Sequence, residues 1–499
     1  MRSNLLVLII SILYLGAHAQ NESTGKAVPK QPIPAIKDTR PGYEIKVTMK
    51  PFKEGFLFLG HHFGSKQYLV DSVRLNDKSE VVFTGKEKLI GGVYMIVYPR
   101  KNGWVECIID KQQHFTIISD SSDVITKTQF LNSTDNTLFG DYQKSSYELG
   151  IKFKALQDKL TGATSKDSAA IRQQMANLTT EMNAYRDEFR KQHPDHLLSS
   201  IFTLLKEPTI PPAERHPGGK YDSAYAYQYY KSHYWDGISF TDERLLRTPV
   251  FLPKFDRYFG TVLPQSSDSI IQAAAPILQA SKSNKEMSRY VLSALTDKYV
   301  NPAYMGQDKV YVWLFEKYYL TGAADSWMTE KYKKFIFDRG YSLMANQLGE
   351  KGANMEMIDT LGKSRPLYGV DAKFVVICFW DPTCSHCQAE VPKLDSIYQN
   401  KWKANGVRLY GVMTDGGKEN WLKYIRTHNL KDWIHVYQTQ EMKDADAAAN
   451  RPGFRQLYDV YQTPMLYLLD KEKRILAKKL SYEQLDQFLD VSLKKYPSP

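Results

Sequence analysis

Cysteine is scarce in this chain: four residues in 499, at positions 107, 378, 384 and 387. Small secreted folds held by disulfides use many pairs across long loops, so that class is excluded. Long apolar runs are scarce as well. Beyond residue 15 none approaches the roughly 18 uninterrupted residues of a membrane-spanning helix. No low-complexity tract is present, and 42% hydrophobic with 24% charged residues is ordinary for a globular protein. The formal net charge is +11, from 66 Lys and Arg against 55 Asp and Glu. The basic residues are interleaved with acidic ones, without the contiguous basic patch that nucleic-acid binding requires. A zinc site at Cys384 and Cys387 would need two further ligands, usually a second Cys or His pair, which His386 inside the motif cannot easily supply, so no metal is expected.

What is present begins with an address. Met1-Arg2-Ser3-Asn4 precedes the apolar stretch Leu5 to Leu15, and Ala17-His18-Ala19 follows. A basic start, an apolar core and an A-x-A site form the pattern of a secretory signal peptide, residues 1–19, cleaved near Ala19. No cysteine follows that site, which argues against a lipid anchor. The expectation is an exported, periplasmic chain, soluble after cleavage, opening on a Pro- and Lys-rich linker over 20–42.

Residues 43–130 carry strand patterns. Ile45, Val47 and Met49 alternate with polar neighbours, and further strands are predicted at Phe56–Leu59, Val81–Thr84, Val93–Tyr98, Val105–Ile109 and His114–Ile118. Short strands separated by turn residues predict an antiparallel β-sandwich or barrel. Cys107 reads as a core residue, and His61-His62 as a loop pair without function. Over 140–350 the period becomes helical. Leu149, Phe153, Leu156 and Leu160 form one stripe and Ile171, Met175, Leu178, Met182, Tyr185 and Phe189 another, which predicts a helical hairpin. The aromatic stretch from Tyr221 to Trp235 reads as helical core with hydroxyls reaching the surface.

Residues 355–499 alternate strands and helices, an α/β pattern. Strands are predicted at Phe374–Trp380, Val407–Met413, Trp433–Tyr437, Met465–Leu469 and Arg474–Lys478. Helices are predicted at Ala389–Asn400, Glu419–Thr427 and Tyr482–Leu493, the last capped by Ser481 with Gln484. Between the first strand and first helix stands Cys384-Ser385-His386-Cys387. A thiol at a helix N-terminus meets unpaired N–H groups and the positive end of the helix dipole. Both favour thiolate, the reactive form. Closing so small a ring adds little stability, so the pair reads as redox-active rather than structural.

Trp380, Cys384-x-x-Cys387, Glu390, Pro392 and Thr463-Pro464 before a strand give residues 355–499 a resemblance to exported thioredoxin-fold thiol-disulfide oxidoreductases of the TlpA/ResA type. The preceding regions resemble domains of unknown function that accompany such modules in Bacteroidetes-type exported proteins. The resemblance implies that Cys384 attacks a partner disulfide and Cys387 resolves the mixed disulfide. Thr463-Pro464 would be the cis-proline that receives an extended substrate, and Glu390 would handle protons for the buried thiol. His386, Ser385 and Trp380 are the redox-tuning positions. Cys378 stands where ordinary thioredoxins carry a buried Asp, and reads as an inert core thiol. No cofactor is implied beyond the Cys384–Cys387 disulfide itself. Partners would be thiols and disulfides of envelope proteins, with an upstream electron donor or acceptor and a preference for the reducing direction. Two other classes compete. A thiol peroxidase lacks its Thr-x-x-Cys spacing here, since Thr383 is adjacent to Cys384. An envelope binding or scaffold protein would give the first 350 residues a role and leave the cysteine pair subsidiary.

Overall fold

The computed structural model describes residues 38–495. The signal segment and most of the 20–42 linker lie outside the described residues. The chain is multidomain: an N-terminal β-region, a central helical region and a C-terminal α/β domain. It divides into two compact units, residues 1–263 with 280–287, and residues 264–279 with 288–499, so the division falls inside the helical region.

The first unit opens with eight strands: β1 (Tyr43–Lys50), β2 (Phe56–Phe63), β3 (Lys66–Arg74), β4 (Glu80–Gly85), β5 (Gly92–Val97), β6 (Trp104–Ile109), β7 (His114–Asp120) and β8 (Gln129–Leu131). They form two four-stranded sheets, ordered β4-β1-β7-β8 and β3-β2-β5-β6. Alternate residues of both point into one core, among them Ile45, Val47, Phe83 and Ile117 from one sheet and Leu57, Ile96, Val105 and Cys107 from the other. This is a sandwich, with Cys107 in its core. Every strand pair is antiparallel except β1 with β7, which run parallel. His61 and His62 were expected in a loop but belong to β2, opposite Tyr68 and Gln67 of β3.

Helices 134–160 and 165–192 form the expected hairpin. Its base is aromatic: Tyr142 and Phe189 pack edge-on against Phe202, and Arg186 donates to the Tyr142 hydroxyl at 2.8 Å. The aromatic stretch departs from the core reading. Helix 223–232 buries only Ala226, while Tyr221 and Tyr227 are exposed and Tyr234, beyond the helix, is buried. Tyr225 and Tyr229, four residues apart, share one face with ring centroids 6.1 Å apart, whereas Tyr227 between them is turned to another face and exposed,.

The second unit holds a six-stranded sheet of order β14-β13-β10-β11-β12-β9, made of β9 (Ile358–Asp359), β10 (Phe374–Trp380), β11 (Val407–Met413), β12 (Ile434–Tyr437), β13 (Met465–Leu469) and β14 (Ile475–Lys478). β10 pairs parallel with β11 and antiparallel with β13, and all seven of its residues are buried. Phe374, Val376, Cys378 and Trp380 enter one core layer, and Val375, Ile377 and Phe379 the layer on the opposite face. A strand covered on both faces reads as a continuous apolar run for this reason. Helix 482–495 starts at the predicted capping box: the Gln484 N–H donates to Ser481 Oγ at 3.3 Å and the Ser481 N–H to Gln484 Oε1 at 3.0 Å.

Candidate redox site

β10 ends at Trp380, whose carbonyl accepts from Thr414 N at 2.9 Å and Thr414 Oγ1 at 3.1 Å. The next residue, Asp381, makes the turn. Its carboxylate accepts from Thr383 N and Thr383 Oγ1, both at 2.7 Å, and its carbonyl accepts from Cys384 N at 3.2 Å. An Asp-Pro pair bonding its own downstream backbone is a turn former, and that is the sequence signal by which Asp381 is recognised. Cys384 is the N-cap of helix 385–397, in extended conformation, and Cys387 lies inside its first turn.

All four cysteines are free thiols. Cys384 is half-buried and its Sγ–H points to the Thr463 carbonyl at 3.5 Å. The Thr463–Pro464 bond is cis. Cys387 is 1% exposed and its sulfur accepts from the Asp381 N–H at 3.4 Å. The two thiols are pushed apart in acidity. Burial opposes ionisation of Cys384, but hydrogen bonds from the Cys387 backbone, the Thr463 side chain and the His386 backbone prevail and lower its pKa. Burial pushes Cys387 up to about 12, only partly offset by the Asp381 N–H. Cys378 is fully buried in the same layer as Cys387, and burial followed by the Cys387 charge holds its thiol protonated.

Of the positions expected to tune the pair, Trp380 is buried at the strand end, while Ser385 and His386 are exposed on the first helical turn. His386 acts on the Cys384 thiolate through its backbone N–H. His386 borders a cavity of about 300 Å³ whose wall includes Glu390, Gln462, Pro464, Lys479 and Tyr482. Glu390 pairs with Lys393 at 3.6 Å, and its side chain is 38% exposed. The site therefore gathers Cys384, Cys387, Thr463 and Asp381 by direct bonds, and His386, Glu390 and Pro464 around the adjoining cavity. Lys479, Gln462 and Tyr482 carried no sequence signal, because only the sheet order β14-β13-β10 brings them to the cavity that His386 borders. A thiolate-prone sulfur beside a buried, protonated one is suited to disulfide exchange in two steps, attack and resolution.

This fold and site define a thioredoxin-like domain. Residues 371–475 match the thioredoxin-like family model, and residues 164–339 match a domain of unknown function, DUF5106. The thiol-disulfide oxidoreductase ResA of Bacillus cereus is 25% identical over 146 residues, 29% of this chain and 77% of that protein. ResA of Halalkalibacterium halodurans is 30% identical over 114 residues, 23% of this chain and 62% of that protein. A domain of a possible thiol-disulfide isomerase from Cytophaga hutchinsonii is 40% identical, covering 30% of this chain and 94% of that one, with a TM-score of 0.26. A thioredoxin-like protein from Bacteroides caccae covers 57% of this chain and 99% of its own at 20% identity, with a TM-score of 0.44. The C-terminal domain belongs to the thioredoxin-like family with ResA-type relatives, and the chain is a thiol-disulfide oxidoreductase. No helix among the described residues is long and apolar enough to cross a membrane.

Proposed function

We propose that this protein is an exported, periplasmic oxidoreductase that reduces disulfides in envelope proteins through Cys384 and Cys387. Cys384 thiolate attacks a partner disulfide, forming the mixed disulfide and releasing the partner's first thiolate. Cys387 gives its proton to Glu390, the carboxylate assigned to handle it, and attacks Cys384 Sγ; the Cys384–partner bond breaks, the second partner thiolate leaves and takes up a proton, and the Cys384–Cys387 disulfide remains. An upstream donor restores the dithiol, and no other cofactor takes part. Thr463 and Pro464 receive the extended partner chain, with Glu390 as the carboxylate at the cavity and His386, Ser385 and Trp380 as the tuning positions.

The observation that carries this reading is the opposed acidity of the two thiols beside the Thr463 carbonyl. The reducing direction is supported by Cys387. A thiol held near 12 is a poor leaving group, so the Cys384–Cys387 disulfide, once formed, re-opens reluctantly at Cys387 and the dithiol is the better electron donor,. Export is supported by the signal pattern of residues 1–19,.

The test is a Cys387→Ser chain expressed with its leader, which should accumulate a mixed disulfide with envelope proteins that dithiothreitol releases. Cys384→Ser should abolish both trapping and exchange, and exchange that survives it refutes the assignment. A midpoint potential near that of thioredoxin, about −270 mV, fits a reductant, whereas one near −120 mV assigns the oxidising direction.

A further inference from the structure

The helix Glu330–Met344 precedes the thioredoxin-like segment by some way in sequence, yet it closes on the loop that leads into Thr463-Pro464. Asp459 is the point of contact. Its side chain is 5% exposed and pairs with Arg339 and with Lys479. The Ser342 hydroxyl stands 3.2 Å from the same carboxylate and 2.6 Å from the Gln456 carbonyl. Arg339 is held from its far side too, donating to the Val300 carbonyl at 3.0 Å and Asn301 Oδ1 at 3.3 Å. Asn346 Nδ2 reaches the Leu457 carbonyl at 3.3 Å.

The backbone adds to this clamp. Asp459 has a φ of 50°, a left-handed conformation that Asp tolerates better than most side chains,. Tyr461, two residues on, has two cations over its ring, Arg339 at 5.8 Å and Lys479 at 5.3 Å from the centroid. Gln462 and Pro464 then wall the cavity, joined by Lys479, and the Thr463 carbonyl faces Cys384. A buried carboxylate bound by one guanidinium nitrogen of Arg339 and by the Lys479 ammonium, with the Ser342 hydroxyl beside it, has one favourable position, and the loop on either side inherits it,.

We infer that Arg339, acting through Asp459, is a positioning residue for the redox site, so that the helical region sets the loop that receives the partner chain. Arg339 is also the last residue matched by the domain of unknown function. The inference rests on the exchange reaction proposed above and assigns part of the helical region a role in it. An ordered loop spares the partner the cost of ordering it, so loosening the clamp should weaken binding of an extended substrate while sparing the chemistry of the thiol.

The experiment uses the full chain, with insulin as the disulfide substrate and iodoacetamide as a probe of Cys384 alone. Arg339→Ala should raise KM for insulin about ten-fold and Arg339→Lys about three-fold, with kcat and the alkylation rate within about two-fold of the unaltered chain. Asp459→Asn should behave like Arg339→Lys. Asp308→Asn serves as a control, since it weakens a separate contact between the helices and β14 at Lys478. It should lower the melting temperature and leave KM unchanged. If the Arg339 variants keep KM within two-fold, or if Asp308→Asn raises it as much, the inference is overturned. Arg339→Lys and Asp459→Asn keep the test open should Arg339→Ala fail to fold. Absence of exchange in the unaltered chain would instead refute the proposed function.

Discussion

The Cys384 thiol and the Thr463 carbonyl face each other at 3.5 Å although 79 residues separate them in the chain. The antiparallel pairing of β10 with β13 brings them together: Phe379 stands opposite Met465, so the start of β13 lies beside the end of β10.

The two thiols should titrate separately. Cys384 should be alkylated at lower pH than a peptide cysteine measured alongside, and Cys387 should resist until far higher pH. Stability follows with opposite signs. Cys387 holds its proton more tightly in the folded chain, so its contribution is present below the unfolded thiol value of about 8.5 and is lost as pH rises towards about 12,. The contribution of Cys384 is present above the unfolded value and lost as pH falls through its lowered one. Melting curves of the reduced protein should therefore fall more steeply above about pH 8.5 than those of the oxidised protein, which titrates neither thiol. Parallel curves would contradict the assignment.

Cys378→Ala should leave insulin reduction within about two-fold, because Cys378 is a buried, protonated thiol rather than an exchanging one,. The lost sulfur leaves a small cavity behind Cys387, at a cost of about 1 kcal/mol read by urea denaturation. Loss of turnover at unchanged stability would make Cys378 a third redox residue.

Lys478 is 3% exposed at its side chain and bonds Asp308 at 2.6 Å, with the Asn346 carbonyl at 2.6 Å and Asn346 Oδ1 at 2.8 Å. Lys478→Met removes the cation and strands the buried Asp308 carboxylate, which should cost roughly 3–5 kcal/mol. Adding Asp308→Leu should recover most of that loss. Denaturant midpoints of the single and double variants decide it, and equal midpoints would show that the pair was not coupled.

Gly411→Ala tests the packing behind the site. A Cβ there would lie 3.0 Å from Trp433 Cε3 and 3.3 Å from both His435 Nδ1 and Trp380 Nε1. Ring systems in a filled core yield little, so a loss of about 1–3 kcal/mol is expected in thermal or urea unfolding. An unchanged midpoint would show that the tryptophans can give way.

Legibility from sequence followed burial and distance along the chain. β10 and β13 were plain because each is an unbroken apolar run, and β11 because only the exposed Arg408 interrupts one. β3 was not, since most of its residues are exposed and no alternation marks it. Helix Gln440–Ala448 buries nothing, and so has no apolar stripe to reveal it. The turn from Trp380 to Cys387 is local, and its chemistry is written in adjacent letters. The clamp of Arg339 on Asp459 spans 120 residues and depends on two solvent-type side chains meeting out of water, which no local pattern encodes.

The parallel pairing of β1 with β7 places the first strand of the sandwich in the middle of its sheet, between β4 and β7. As the chain emerges amino end first, β1 must wait for Glu80 to find one neighbour and for His114 to find the other. Until then its backbone is an open template for any strand nearby, so the emerging chain is most vulnerable to aggregation until about residue 120 has followed,. Removing the segment through Lys50 would split the sheet at its centre rather than shave an edge.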